Sequence, residues 1–254
     1  MPDTPDYLGQ SIPRREDDYL LRGQGRFVDD LPTPGDTLHL GFVLSPHAHA
    51  RILGVDASQA LALDGVTAVL TGDDLAKLVR PPFAEIEFPG YHVHGRDVIA
   101  REKVRFVGET VAVVMARSAY LAQDAIELVE VEYDPLPAAA NLESAASPDA
   151  PQVHDDIPNN TIFKGDFTTP DFEAAFDGAE HVIRERFRSG RVGGVPLEPR
   201  GCLALPEHGD GLVFYSSTQV PHLLRTALAR FMEHPESRIR VIVPEVGGGF
   251  GTKA

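Results

Sequence analysis

Five residues near the end of the sequence, Gly247-Gly248-Gly249-Phe250-Gly251, follow a β-branched run and set four glycines around one phenylalanine. Glycine reaches positive φ at no steric cost and lets backbone N–H groups approach a ligand with no Cβ in the way. Such a turn supports capture of an anion or a cofactor; the alternative is a tight turn that holds nothing. It is not a P-loop, which needs Gly directly before the Lys and Ser or Thr after it, whereas Lys253 stands between Thr252 and Ala254. Nor is it the dinucleotide fingerprint, since the glycines fall at 247, 249 and 251 rather than as G-x-G-x-x-G.

Gln219 lies where a strand ending at Thr218 gives way to a helix opening on Pro221, a proline suited to the first helical position. There its amide can face a ligand or satisfy a loop backbone group. His222, in the first helical turn, reads as structural or surface. Glu198 and Arg200 flank one proline and read as an ion pair or loop clamp, with a catalytic carboxylate as the lesser alternative. Cys202 begins an apolar strand and reads as a buried, inert thiol. His47 and His49 are expected to share one face of a strand, and His92 and His94 one side of a loop. Paired imidazoles at i, i+2 can bind zinc, but no third ligand is near in sequence, so no metal site is assigned.

The elements that must position these groups fall into two regions. Residues 38–56 show partial alternation broken at Ser45-Pro46, which predicts two strands with a kink between them. A short helix (57–63), a strand (65–71), a helix (72–79) and a histidine-bearing loop (80–99) follow. A strand broken at Gly108-Glu109 (104–116), a helix opening on Ser118 (118–129) and an alternating strand (129–137) complete a strand–helix–strand unit. Residues 138–160 are rich in Ala, Ser, Pro and Asp and read as a linker. Beyond it lie a helix (170–178), a long strand (179–190), strands at 201–206 and 211–217, a helix (221–232) and a strand (238–244). That last strand is expected to lack a partner.

The 254 residues carry a net charge of −15, which argues against a nucleic-acid-binding face. One cysteine excludes an internal disulfide framework or a cysteine-built iron–sulfur site, and fits a reducing cytoplasm. The N-terminal stretch has no apolar core of a secretory signal, and no run approaches the length of a membrane-spanning helix.

Taken together and in order, "LSPHAHARI" (44–52), "DGVTAVLTGDDL" (64–75), "EKVRFVGETVAVVMA" (102–116), "VEYDPLP" (131–137), "PLEPRGCLA" (196–204), "STQVPH" (217–222) and "VGGGFGTK" (246–253) resemble one family. It is the molybdopterin-binding large subunit of the xanthine dehydrogenase, aldehyde oxidase and carbon monoxide dehydrogenase family. The resemblance implies an α+β chain: an arm (1–19), an α/β-hammerhead domain (20–137), a linker (138–160) and the beginning of a molybdopterin-binding domain (161–254). It also implies that Gln219 hydrogen-bonds an oxygen ligand of molybdenum, and that Gly248, Gly249, Phe250 and Gly251 form the cofactor-facing loop, with backbone donors at Phe250 and Gly251.

The implied cofactor is molybdenum-molybdopterin, in a cytosine dinucleotide form completed by residues outside this chain. Iron–sulfur clusters and FAD on partner subunits would accept the electrons, in a cytoplasmic complex that hydroxylates a carbon centre with water-derived oxygen. The glutamate that serves the family as base is expected in a later part of the large subunit, so no catalytic residue is assigned here, and the chain alone is expected to be inactive and prone to associate. Ala254 stands where purine-oxidising members carry a substrate-binding glutamate, which disfavours xanthine. Leu44 and the glycines of "VGGVP" (192–196) also depart from the family's pattern. A non-catalytic assembly fragment and a phosphate-binding module are the competing readings.

Overall fold

The computed structural model describes residues 7–82 and 89–254. The chain divides into two compact units. A central unit comprises Pro34–Gly190 and Arg230–Glu233; a terminal unit comprises the chain up to Thr33, Arg191–Ala229 and His234–Ala254. Nine strands and seven α-helices are formed among the described residues. The strands are β1 (His39–Leu44), β2 (Ala50–Asp56), β3 (Val66–Thr71), β4 (Lys103–Val104), β5 (Thr110–Ala116), β6 (Glu130–Pro135), β7 (Cys202–Glu207), β8 (Gly211–Ser216) and β9 (Ile239–Ile242). The helices are α1 (Asp17–Leu21), α2 (Ser58–Leu61), α3 (Gly72–Leu75), α4 (Ala119–Ile126), α5 (Leu142–Ala145), α6 (Phe172–Asp177) and α7 (Pro221–Phe231).

The central unit holds two three-stranded antiparallel sheets, ordered β1-β5-β3 and β4-β2-β6. β5 reads as an unbroken apolar run because both of its faces are covered. Ala112 and Val114 join Val43, Ala60, Ala125 and Val129 in one core, while Val111 joins Ala50, Ala100 and Val104 in the other. Burying each such valine is worth about 1.5–3 kcal/mol. α4 starts where the Ser118 hydroxyl accepts the Leu121 N–H at 3.2 Å, and it presents Ala122 and Ala125 inward. Its close approach to β1 depends on Gly41: a Cβ there would lie 2.7 Å from Ile126 Cγ2 and 2.8 Å from the Ala122 carbonyl.

The strand–helix–strand segment forms as β5, α4 and β6, with β5 in the first sheet and β6 in the second. Two expectations are corrected here. His47 and His49 lie in the connection between β1 and β2 rather than on a strand; His47 packs edge-on against Tyr133, and His49 is buried with Nδ1 donating to the Pro137 carbonyl at 2.7 Å. Residues 179–190 form no strand and are exposed throughout. Their alternating pattern meets no neighbour to hydrogen-bond with, and an extended segment becomes a strand only through such a ladder.

In the terminal unit, β7 pairs antiparallel with β8, and β9 lies parallel on β8 across the α7 crossover. The last strand therefore does have a partner. A parallel neighbour requires a crossover of this kind, and the Pro221 helix supplies it. β7 is an edge strand with alternating exposure, which places Cys202 at the surface rather than in a core. Among the described residues, no helix is long and apolar enough to cross a membrane.

Candidate functional site

The end of β8 and the glycine-rich loop meet through Lys253. Its carbonyl accepts the Gln219 N–H at 2.8 Å and the Thr218 hydroxyl at 3.1 Å, and Thr218 is buried. The Gln219 side chain completes the junction: its Oε1 accepts the N–H of Gly251 at 3.0 Å and of Lys253 at 3.4 Å. Both partners are donors, so the amide orientation is settled by the network itself. The Gln219 NH2 group makes no hydrogen bond among the described residues.

The loop needs its glycines for two separate reasons. Gly248 and Gly251 adopt φ of 100° and 78°, in the left-handed region, and Phe250 joins them at 51° with its ring exposed. Gly247 and Gly249 are required by proximity: a Cβ would lie 2.5 Å from Glu198 Cβ in the first case and 2.4 Å from Gln219 Cδ in the second. Thr252 closes the turn, donating both its N–H and its hydroxyl to the Gly249 carbonyl at 2.9 and 2.8 Å. The N–H groups of Gly248, Gly249 and Phe250 make no hydrogen bond among the described residues. Together with the Gln219 NH2 they are the donors that the loop leaves unpaired among the described residues.

Beneath the loop lies an ion pair that sequence reasoning missed. Glu198 Oε2 accepts from Lys253 Nζ and from the Gly247 N–H, each at 2.8 Å, and the Glu198 N–H returns a bond to the Gly247 carbonyl at 3.2 Å. Glu198 thus clamps the loop through Lys253 and Gly247, not through Arg200 as its spacing suggested. Burial alone would raise the Glu198 pKa, but the Lys253 hydrogen bond, the Gly247 N–H and the Lys253 charge outweigh it and hold the carboxyl below its usual range. Its Oε1 is buried without a hydrogen-bond partner. Glu245 serves the N-terminal arm instead, accepting the Tyr19 hydroxyl at 2.6 Å while its N–H donates to the Arg26 carbonyl at 3.0 Å.

A second cluster sits in the central unit. His94 Nδ1 bonds Asp156 Oδ2 at 2.7 Å, and the His94 and His154 rings meet edge-to-face with centroids 4.3 Å apart. Burial first, then the charges of Arg105 and His94, push the His154 pKa down to about 4. Of the four paired histidines, only His94 finds such companions, and they come from 60 residues further along the chain.

The family model for "Aldehyde oxidase and xanthine dehydrogenase, a/b hammerhead domain" matches residues 22–137, and that for "Molybdopterin cofactor-binding domain" matches residues 153–254. The chain belongs to the xanthine dehydrogenase, aldehyde oxidase and carbon monoxide dehydrogenase family and corresponds to an N-terminal portion of its large subunit. It is 37% identical to the nicotine 6-hydroxylase large subunit of Paenarthrobacter nicotinovorans over 100% of its length, covering 31% of that protein. It is 39% identical to the carbon monoxide dehydrogenase large chain of Afipia carboxidovorans over 97% of its length, again covering 31% of the relative. The solved quinoline 2-oxidoreductase from Pseudomonas putida 86 superposes with a TM-score of 0.90 at 39% identity, covering 96% of this chain and 31% of that one. The chain thus spans about a third of the length of these relatives.

Proposed function

We propose that this chain builds one wall of the cofactor site in the catalytic subunit of a molybdenum hydroxylase. The observation that carries the reading is a group of unpaired donors: the Gln219 amide is locked by its carbonyl oxygen to the loop, while its NH2 and three glycine-loop N–H groups make no hydrogen bond among the described residues. An oxygen-rich, anionic group suits such a set, because each contact is a hydrogen bond to a charged or strongly polar acceptor. Gly249 fits the same reading, since it removes the one Cβ that would displace Gln219. When bound, a molybdopterin-held molybdenum supplies the two-electron oxidation of a substrate carbon. Gln219 orients the group, the loop N–H donors hold it, and the Glu198–Lys253 pair fixes the loop from below.

The same reading places the arm at 1–19, the hammerhead domain at 20–137, the linker at 138–160 and the cofactor-binding region from 161. It takes a cytosine dinucleotide form of the pterin, and iron–sulfur and FAD subunits as electron acceptors in the cytoplasm. Support for partner subunits comes from relatives that are themselves named as large subunits or large chains. No residue of this chain is assigned as the base.

The test is the molybdenum and pterin content of the complex this chain forms in its own cell. Equimolar molybdenum and pterin are expected, with a marked loss in Gly249→Ala and Gln219→Ala. A complex without either component, or with contents unmoved by both substitutions, overturns the proposal.

A further inference from the structure

We propose that His94, His154 and Asp156 form a binding site for a divalent transition-metal ion of the zinc class, independent of the glycine-loop site. Each side chain offers one ligand atom, and the three atoms lie within 4.8 Å of one another. Two imidazoles and one carboxylate form a donor set typical of zinc sites that keep a fourth, water-accessible position. The burial gradient agrees: the His94 side chain is 13% exposed on the protein side, and that of Asp156 is 57% exposed on the water side.

A plain carboxylate–imidazole hydrogen bond accounts for His94 and Asp156 but not for His154. That ring reaches the cluster with its Nδ1 buried and without a hydrogen-bond partner, which is costly unless something else occupies the site. The segment carrying His154 and Asp156 is also built to hold a shape. The Gln152 side-chain amide donates to the carbonyls of His154, Asp155 and Ile157 at 2.9, 3.3 and 3.2 Å. Asn160 ties down Val153, Ala145 and Pro151, and Ile157 is buried between the two wired ends. Asp155, between the two ligands, turns the other way and pairs with Lys103 at 2.7 Å.

Tetrahedral coordination with bonds of about 2.0–2.1 Å needs ligand atoms roughly 3.3 Å apart. The His94–Asp156 contact must open slightly, a movement available to the exposed Asp156 carboxylate, and the longest of the three separations must close. Two cations oppose a dication here, because Arg105 and Arg96 both act on His154 electrostatically. The site is therefore weaker than its ligands alone would make it, and neutralising Arg105 should strengthen it.

The experiment titrates Co2+ into the chelator-treated full chain and follows its visible absorption, then displaces it with Zn2+. One equivalent of cobalt with a low-symmetry visible band is expected. His154→Gln and Asp156→Asn should each weaken binding about tenfold or more, since even groups that only support ligands cost that much. Arg105→Gln should tighten it, and His222→Gln should leave it unchanged. Asp156 is exposed, so its substitution reads binding without threatening the fold; a thermal melt of His154→Gln checks the same for the half-buried ring. Absence of a stoichiometric cobalt site, or binding that survives both ligand substitutions, overturns the proposal. Molybdenum content does not enter this measurement, so it fails or succeeds separately from the functional reading.

Discussion

The Glu198 carboxylate lies 2.8 Å from the Lys253 ammonium across 55 residues of sequence, and it is the lysine that is the more deeply buried: its side chain is 1% exposed against 15% for the glutamate. The asymmetry decides which substitution hurts. Glu198→Ala strands a buried ammonium and should cost about 3–5 kcal/mol, the range for breaking a buried pair. Lys253→Met leaves a carboxylate that is partly exposed and still bonded to the Gly247 N–H, and should cost less, about 1–3 kcal/mol. Denaturant unfolding of both variants checks the order; equal losses would show that the pair is not buried as described.

The same carboxylate sets an acid limit. Its pKa is held below 4.5 in the folded chain, so its contribution is fully present above the unfolded value and is lost as pH falls through the folded one. Stability should therefore decline below about pH 4.5, and Lys253→Met should show less of this decline. Melting temperature against pH for the two proteins is the measurement. Parallel curves would assign the acid loss to other carboxylates.

Gly249→Ala forces a Cβ to within 2.4 Å of Gln219 Cδ. Relief requires moving the amide off Gly251, at a cost of about 1–3 kcal/mol for an overpacked contact. Gly54→Ala, on β2 with nothing within 4 Å of its Cβ, should be neutral or stabilising by up to about 0.5–1 kcal/mol. Paired thermal melts compare them. If both behave alike, the clash is absorbed elsewhere.

Gly41→Ala tests how closely α4 sits on β1. Its Cβ would meet Ile126 and the Ala122 carbonyl under 3 Å, and the helix must lift, opening the core around Ala125 and Val43. A loss of about 1–3 kcal/mol is expected, with faster amide exchange in α4. Unchanged exchange there would mean that the strand, not the helix, yields.

Local signals carried well from sequence to structure where the chemistry is local. Ser118 caps α4, Pro221 opens α7, and the breaks at Ser45-Pro46 and Gly108-Glu109 separate strands as their residues imply. The misses share one cause: they depend on partners that spacing does not name. Residues 179–190 alternate like a strand but have no neighbour, whereas the 239–242 segment has one in β8. Glu198 pairs with Lys253 rather than with the nearby Arg200, and His94 meets His154 and Asp156 from within the 138–160 segment. The position of Gln219 at a strand–helix junction was legible; its role came from resemblance, because an amide's partner is fixed only once the loop returns to it.

The unpaired stretch also governs how the chain responds to a protease. Between residues 180 and 197 no backbone–backbone hydrogen bond is made among the described residues, and Arg184, Arg186, Arg188 and Arg191 all lie in this exposed run. Trypsin should nick there first, where extended backbone fits a protease cleft without local unfolding. Yet the cut would not release the C-terminal fragment. The terminal unit is assembled from both ends of the chain, with Tyr19 and the Arg26 carbonyl of the N-terminal segment bonded to Glu245. Two bands on a denaturing gel should therefore travel as one species under native conditions, a non-covalent clasp surviving the loss of the covalent one.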